Sequence, residues 1–382
     1  MSGHGSQNPR QADSKVQVCV LNQGGELLWN REVANDAMRI DAAVRRLGPV
    51  SGAAIEACCG SAHLADELAT RFGWPIALAH PGYVARLKRS PDKHDVGDAR
   101  LLADLIRVGY LPRVWLAPEE TRQLRRLVRH RRELVNHRRD VKLRLQALLR
   151  ENRFRAPEGV NPWTKRWGAW LSTLAWPEDD RWLLDRHLAE VQRLTMLIRQ
   201  CDERLQSRTA EDALVQRLLT LEGVGLVTAV TLRAELGRVD RFRTGKEMAR
   251  FCGVTPRNAS SGQHQADAGL VRAGNPDLRH VLIELAHRLI RCSDTSWSRL
   301  GYQLLRRGKP KNVVIAAVAN RWVRWLYHYL KNEPQQADLS SGSTEGTAPS
   351  ASAVASTLSI GEGSRRRRRR KGLADSVSKE VT

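Results

Sequence analysis

The 382-residue chain predicts an α/β domain at its N-terminal end, then a long basic helical arm, then a mainly α C-terminal domain. Short apolar runs alternate with helical patterns between residues 16 and 80, which is the rhythm of an α/β layer. From Leu124 to Leu148 a seam steps by threes and fours, and between 218 and 331 helical patterns are joined by glycine-bearing turns and a polar loop.

In chain order, VQVCVLN and ELLWNREV flank Gly24-Gly25 and read as a hairpin, followed by a helix near 36–47. GAAIEAC is a third strand that runs into Gly60 and a helix ending near 71, and PIALAHP is a fourth strand. Glu56 sits at the exit of the third strand among Ile55, Ala57 and Cys58, an unusual place for a carboxylate because burying one unpaired is costly. The stretch SPDKHDVGDARLLADLI then opens a helix. Positions 98, 101, 102 and 105 share one face, position 95 extends it backwards, and Leu101, Leu102 and Leu105 mark that face as inward. The opposite face carries Arg100, Asp104 and Arg107, ordinary solvated charge. Two readings of Asp95 and Asp98 stand at this point: acids that cap the helix or favour the positive end of its dipole, or a carboxylate pair turned towards a reaction.

After RVWLAP the character changes. Leu124, Leu127, Arg131, Leu134, Arg138, Val141, Leu145 and Leu148 form a heptad seam broken by two arginines, which predicts one long basic helix over about 119–152. A tryptophan-rich interruption (Trp163, Trp167, Trp170, Trp176) precedes a second helix over about 179–207, so the pair reads as an antiparallel coiled-coil arm. LLTLEGVGLVTAVTLRAELG places Gly223-Val224-Gly225 between two helices, the pattern of a helix-hairpin-helix that brings backbone N–H groups to a phosphate, with a tight turn between core helices as the alternative. Asn275-Pro276 marks a clean helix start, and a last helix spans 311–331. Beyond Pro334 the composition turns to Ser, Gly, Thr and Ala, then to GSRRRRRRKG, and predicts a disordered basic tail.

The net charge is +22, and its placement is informative. Residues 1–106 balance 12 Lys and Arg against 12 Asp and Glu, whereas residues 107–155 hold 15 against 5, so the surplus sits on segments expected to fold. That is the footprint of a partner with a phosphate backbone. The six cysteines form no CxxC pair, which speaks against a zinc site or a disulfide framework. No run of 18 apolar residues occurs, and the expected setting is cytoplasmic and nucleoid-associated, with no membrane.

Three features ask for one account: Glu56 at a strand exit, Asp95 and Asp98 on an inward helix face, and Ser260-Ser261 before Gly262 in a polar loop. Clustered carboxylates repel and, unless one takes a proton, call for a cation, and oxygen-only ligands select Mg²⁺ or Mn²⁺, ions that serve phosphoryl transfer.

At these residues the sequence resembles the transposases of the IS110/IS1111 insertion-sequence family. IEACCGSAHLADEL, KHDVGDARLLADL, LEGVGLVTAVTLRAELGRVDRF, GVTPRNASSG and GNPDLRHVLIELA follow in that family's order over about 16–330. The resemblance implies an RNase H-fold, RuvC-like domain with an Asp-Glu-Asp-Asp metal site over 16–118, the arm over 119–207, and a C-terminal domain with a serine nucleophile over 208–332. Residues 1–15 and 333–382 are expected to be disordered. Carried over, Glu56, Asp95 and Asp98 match family acids and metal ligands, and Ser261 matches the nucleophile in preference to Ser260. The family's opening strand ends in its first aspartate. Here GSQNPRQADSK precedes VQVCVLN, so Asp13 echoes that motif with no apolar strand before it. Either Asp13 takes the aspartate's place, or the chain starts short of the opening strand and the site lacks a ligand and activity.

The resemblance further implies DNA as substrate, a structured guide RNA and a homodimer or tetramer. The expected function is therefore a DNA transposase or recombinase in which metal-assisted serine attack exchanges strands. Its rivals are a RuvC-like metal-dependent nuclease whose serine is a bystander, and a nucleic-acid binder without catalysis.

Overall fold

The computed structural model describes residues 15–88, 94–258, 267–292 and 294–332; Asp13, Ser260, Ser261 and the tail from 333 lie outside them. β1 (Lys15–Leu21) and β2 (Leu27–Ala34) form the expected antiparallel hairpin, with Val16 opposite Val33 and Val18 opposite Arg31. Gly25 takes φ +89° in the turn, a conformation that glycine adopts without steric cost. α1 (Ala37–Arg45) starts at Asp36, whose side chain accepts from the Arg39 N–H. β3 (Ala53–Glu56), α2 (Ser61–Phe72) and β4 (Ile76–Ala79) make a parallel βαβ unit in which Glu56 lies opposite Ala79. α3 (Pro81–Leu87) and α4 (Asp95–Arg107) follow, and the short β5 (Arg113–Val114) returns antiparallel to β4.

One α/β layer was the expectation, but the strands divide into two sheets, β1-β2 and β3-β4-β5. α4 packs against β1, β2 and β3 and so bridges the two. All four β3 residues remain half-buried, although parallel strands are normally covered on both faces. The N-terminal core is correspondingly split. Ala37, Ile40 and Leu68 pack with the hairpin valines, while Ala79, Val84, Leu105 and Leu111 pack under α4.

α5 (Glu119–Glu151) runs for about 50 Å at 1.5 Å per residue. It packs antiparallel to α7 (Glu178–Arg208) through Leu134, Val141, Leu194, Ile198 and Cys201. The two arginines that interrupt the apolar seam find polar partners across it: Arg131 pairs with Asp202, and Arg138 donates to Thr195 Oγ1 at 3.2 Å. The tryptophan-rich interruption closes the end of this hairpin. α6 (Lys165–Ser172) brings Trp167 and Leu171 onto Leu145, Leu148, Leu149 and Leu184 as a small separate core.

The third region is helical around a single large core. α8 (Ala213–Leu219) leads through Gly223 to α9 (Leu226–Leu236), which from Thr228 onwards is buried on every side except at Arg233. Its mixed sequence of Thr, Ala, Val and Leu lacks an amphipathic stripe because it is the central helix. α10 (Gly245–Phe251), α11 (Pro276–Arg291), α12 (Ser296–Arg306) and α13 (Lys311–Lys331) surround it. Asn275 caps α11 as its sequence predicts, its Oδ1 accepting from the N–H groups of Asp277 (2.9 Å) and Leu278 (3.1 Å). Between α10 and α11 the chain makes a hairpin that was expected only as a loop: β6 (Pro256–Asn258) against β7 (Asp267–Leu270).

α5 also joins the other two regions. Arg122 pairs with Asp66 of α2 and, at 2.6 Å, with Glu119. Further along, Arg125 donates to the Ala234 carbonyl at 2.7 Å, Arg129 holds Glu235 of α9, and Arg132 holds Asp277 of α11. The first third of the basic helix is thus engaged within the protein, which limits what its charge offers to a partner. Among the described residues no helix is long and apolar enough to cross a membrane.

Candidate functional site

Glu56 is the last residue of β3, half-buried, and its side chain has no hydrogen-bond or ion-pair partner among the described residues. The turn behind it is well fixed. The Ser61 hydroxyl accepts from the Cys58 N–H at 3.1 Å and donates to the Cys58 carbonyl at 2.8 Å, and Gly60 takes φ +82° at the start of α2.

Asp95 and Asp98 occupy the first turn of α4. His94 is the residue at the cap position and makes no side-chain capping bond, so neither aspartate caps the helix in that sense. The expectation that both face inward holds for Asp98, which is half-buried, and fails for Asp95, which is exposed where the helix begins. Asn30 of β2 donates to the Val96 carbonyl at 3.0 Å and ties this turn to the hairpin. Asp98 is itself engaged: Lys88, just beyond α3, donates to its Oδ2 at 2.5 Å, with both side chains about a quarter exposed.

The structure therefore sets Glu56 at the end of a strand against which α4 packs, and both aspartates at the start of that helix. Carboxylate oxygens are the hard donors that Mg²⁺ or Mn²⁺ takes. Yet among the described residues no group of three or more His, Cys, Asp or Glu could hold a metal ion, and the ammonium of Lys88 already neutralises Asp98. As arranged, the three acids do not fit a resident metal.

Ser260 and Ser261 lie outside the described residues, but the hairpin that carries them is described at its base. Arg279 of α11 fans across four carbonyls there. Its Nε donates to Gly253 at 2.9 Å, and its Nη2 donates to Val271 at 2.6 Å, Arg272 at 3.2 Å and Gly274 at 3.4 Å. The backbones of Gly253 and Gly274 meet so closely that a Cβ on Gly274 would lie 2.2 Å from the Gly253 Cα. The Val271 N–H donates to the Thr255 carbonyl at 2.9 Å, and the Asn275 N–H to that of Phe251 at 2.8 Å. These positioning residues were missed in the sequence. The glycine before the Asn275 cap was the available signal, whereas nothing in the spacing singles out Arg279 among so many arginines.

The turn of the expected helix-hairpin-helix is packed from behind. Gly223 has φ +75°, a Cβ there would come within 3.1 Å of Leu285 and Leu289, and Arg288 donates to its carbonyl at 3.1 Å. A glycine is required here for close helix packing, whatever else the turn does. Nearby, the ring of Trp115 of RVWLAP meets the guanidinium groups of both Arg125 (5.3 Å) and Arg241 (5.1 Å). Burial, reinforced by Arg125, lowers the Arg241 pKa to about 10, which leaves it charged at neutral pH. Cys252 is fully buried and its thiol is pushed well above the ordinary range, which makes it a packing residue without reactivity.

Comparison with known proteins joins these two halves. Residues 11–153 match a family model for DEDD transposases of the IS110 type, described as Transposase, and residues 215–303 match the model described as Transposase IS116/IS110/IS902 family. A probable family 20 transposase of Pseudomonas aeruginosa is 30% identical over 289 residues, which is 73% of this chain and 84% of that protein. The transposase for insertion sequence element IS1111A of Coxiella burnetii is 25% identical over 81% of this chain and 85% of its own length. The transposase for IS1328 of Yersinia enterocolitica is 27% identical over 71% and 81% respectively. The acids fall in the first matched region and the serine pair in the second, and the chain belongs to the IS110/IS116/IS902 family of transposases, with a RuvC-like DEDD domain at its N-terminal end.

Proposed function

We propose that this transposase cuts and rejoins DNA through a covalent link to Ser261, with Glu56, Asp95 and Asp98 as the acidic half of a composite site. The observation that carries the reading is the division of labour between the matched regions: the three acids stand in 11–153, and Ser261 stands in 215–303 on a hairpin clamped at its base by Arg279. In the step itself, Ser261 Oγ loses its proton and bonds to phosphorus. One P–O ester bond breaks, and the departing deoxyribose oxygen takes up a proton. The phosphoserine link conserves the number of ester bonds, so a strand hydroxyl can reverse the step without ATP. With Lys88 displaced from Asp98, Glu56, Asp95 and Asp98 would be the residues to hold Mg²⁺ or Mn²⁺, which would supply positive charge to the phosphate oxygens.

The proposed partition is a RuvC-like domain over 16–118, a coiled-coil arm over 119–207 and a catalytic domain over 208–332, the last entered through a helix-hairpin-helix. Acids and serine lie in separate regions of the chain, which supports assembly of the site across a homodimer or tetramer. The basic charge supports a guide RNA beside DNA, and the setting that suits these partners is the cytoplasm at the nucleoid.

One observation favours a second reading, nucleic-acid binding without cleavage: Lys88 holds Asp98, and the described acids gather no metal-holding group. Strand nicking by purified protein with Mg²⁺ or Mn²⁺ separates the two. The first reading expects nicking that Glu56→Gln, Asp95→Asn and Asp98→Asn each abolish, and the absence of nicking by the parent protein with its DNA and RNA would favour the second.

A further inference from the structure

α10 and α13 cross at close range. A Cβ on Gly245 would come within 3.0 Å of the Arg324 carbonyl and 3.2 Å of its Cα, so glycine at this position lets the two backbones approach. Tyr327, buried between them, donates its hydroxyl towards the carbonyls of Phe242 (3.1 Å) and Arg243 (2.9 Å) and fixes the turn that precedes α10. The result is two basic stripes side by side. Lys246 and Arg250 stand four apart on α10 with Arg243 just before its Thr244 cap, all three exposed, and Arg321, Arg324, His328 and Lys331 step by three and four along α13 and are exposed too.

One cleft lies between the stripes, and a second adjoins it on the α10 side. One, of about 530 Å³, is lined by Arg243, Lys246, Arg324, His328 and Lys331; the other, of about 600 Å³, shares Arg243 and Lys246 and continues to Arg250 and Thr255. Lys246, Arg250 and Arg324 make no ion pair among the described residues, in contrast to the arginines at the start of α5. Glu247 is the only acid among the described residues that line either cleft, and Arg243 pairs with it at 3.4 Å while remaining 90% exposed.

Unpaired cations concentrated in a trough need a polyanion. From Arg321 to Lys331 the stripe covers about 15 Å at 1.5 Å per residue, which spans about four phosphates of one strand at 3.4 Å of helix axis each. Tyr327 in the lining is buried and offers no face for a base, His328 brings an exposed imidazole, and the arginines and lysines around them suit the backbone more than the bases. We infer that the α10–α13 cleft is a binding groove for a nucleic-acid phosphodiester backbone. It opens beside Thr255, next to the hairpin that carries the serine pair, and would therefore hold the strand on which that loop acts. This inference needs the chain to bind nucleic acid and does not need Ser261 to be the nucleophile.

The test is binding of labelled duplex DNA and of a labelled RNA hairpin by the full chain, followed by anisotropy over a range of salt. The variant Arg243→Gln, Lys246→Gln, Arg324→Gln, Lys331→Gln is compared with a charge-matched control on the neutral N-terminal region, Arg31→Gln, Arg39→Gln, Arg46→Gln, Arg71→Gln. All eight side chains are exposed, so both proteins should keep their fold. Four lost phosphate contacts should lower the salt slope by about 3 to 4 and weaken binding at least tenfold at physiological salt, on DNA, RNA or both according to which strand the groove holds. Glu247→Gln should tighten binding severalfold, a gain that misfolding does not mimic. Cleft and control variants binding both probes equally, or an unchanged slope, would overturn the groove. Strand attachment lost through Ser261→Ala with binding intact bears on the nucleophile alone.

Discussion

Replacing Glu235 by alanine should detach the arm from the C-terminal region at its most buried charge. Glu235 is 2% exposed. Its Oε1 accepts from Arg129 Nε at 2.9 Å, and its Oε2 accepts from Arg129 Nη2 at 3.0 Å and Asn275 Nδ2 at 2.8 Å, with Arg125 Nε 3.9 Å away. Removing one partner of a buried pair costs about 3 to 5 kcal/mol, because the other charge stays behind without compensation. Arg129 is half exposed and regains water on losing its partner, but Arg125 is buried enough that its pKa is already lowered, so it does not. The expected loss for Glu235→Ala is therefore at the lower end, about 3 kcal/mol. Glu235→Gln keeps an acceptor for Asn275 and should cost about 1 to 2 kcal/mol. Urea unfolding followed by tryptophan fluorescence measures both, with amide exchange along the first turns of α5 as a local readout. A Glu235→Ala protein within about 0.5 kcal/mol of the parent, the range of an ordinary surface change, would refute the view that this network docks the arm.

Gly274→Ala should cost about 1 to 3 kcal/mol by overpacking, because the added methyl meets the Gly253 backbone, whereas Gly168→Ala in α6, where nothing lies within 4 Å, should be neutral or stabilising; denaturant midpoints compare them. Lys88→Met removes the ammonium from Asp98 and should tighten Mn²⁺ binding severalfold in a calorimetric titration, while unchanged affinity would mean that lysine and metal do not compete. Hydrogen bonds from Arg126 and then Arg122 lower the Glu119 carboxyl pKa to about 2. Because the folded value is lowered, the stabilisation is complete above the ordinary value of 4.5 and disappears as pH falls towards 2. Nearly half exposed, the group contributes under about 1 kcal/mol, so carboxyl NMR is the sharper measurement: Glu119 should remain ionised at pH 4, and half-protonation there would contradict the pairing.

The elements whose formation depends on local signals were legible in the sequence. The hairpin around Gly24-Gly25, the cap at Asn275 and the span of α13 all rest on neighbouring residues, and each stands where the pattern predicts. What required tertiary partners was not legible. The arginines at 131 and 138 looked like defects in an apolar seam until Asp202 and Thr195 supplied the other half. The basic face of α5 read as a surface for phosphate, yet its first turns are matched to Asp66, Glu235 and Asp277, which lie far away in the chain. In the same way, periodicity placed Asp95 on the inward face, but at the first position of the helix it is exposed among the described residues. The pairing of Asp98 with Lys88 was equally hidden, since a lysine ten residues upstream of an aspartate carries no periodic signal.

The measurement that tests the central claim most directly is recovery of a denaturation-resistant protein–DNA adduct after incubation with DNA, RNA and Mg²⁺, with the attachment site read by mass spectrometry. A phosphodiester link at Ser261, absent in Ser261→Ala and retained in Ser260→Ala, is the predicted result. Undiminished strand cutting by Ser261→Ala, or an adduct on any other residue, would contradict it.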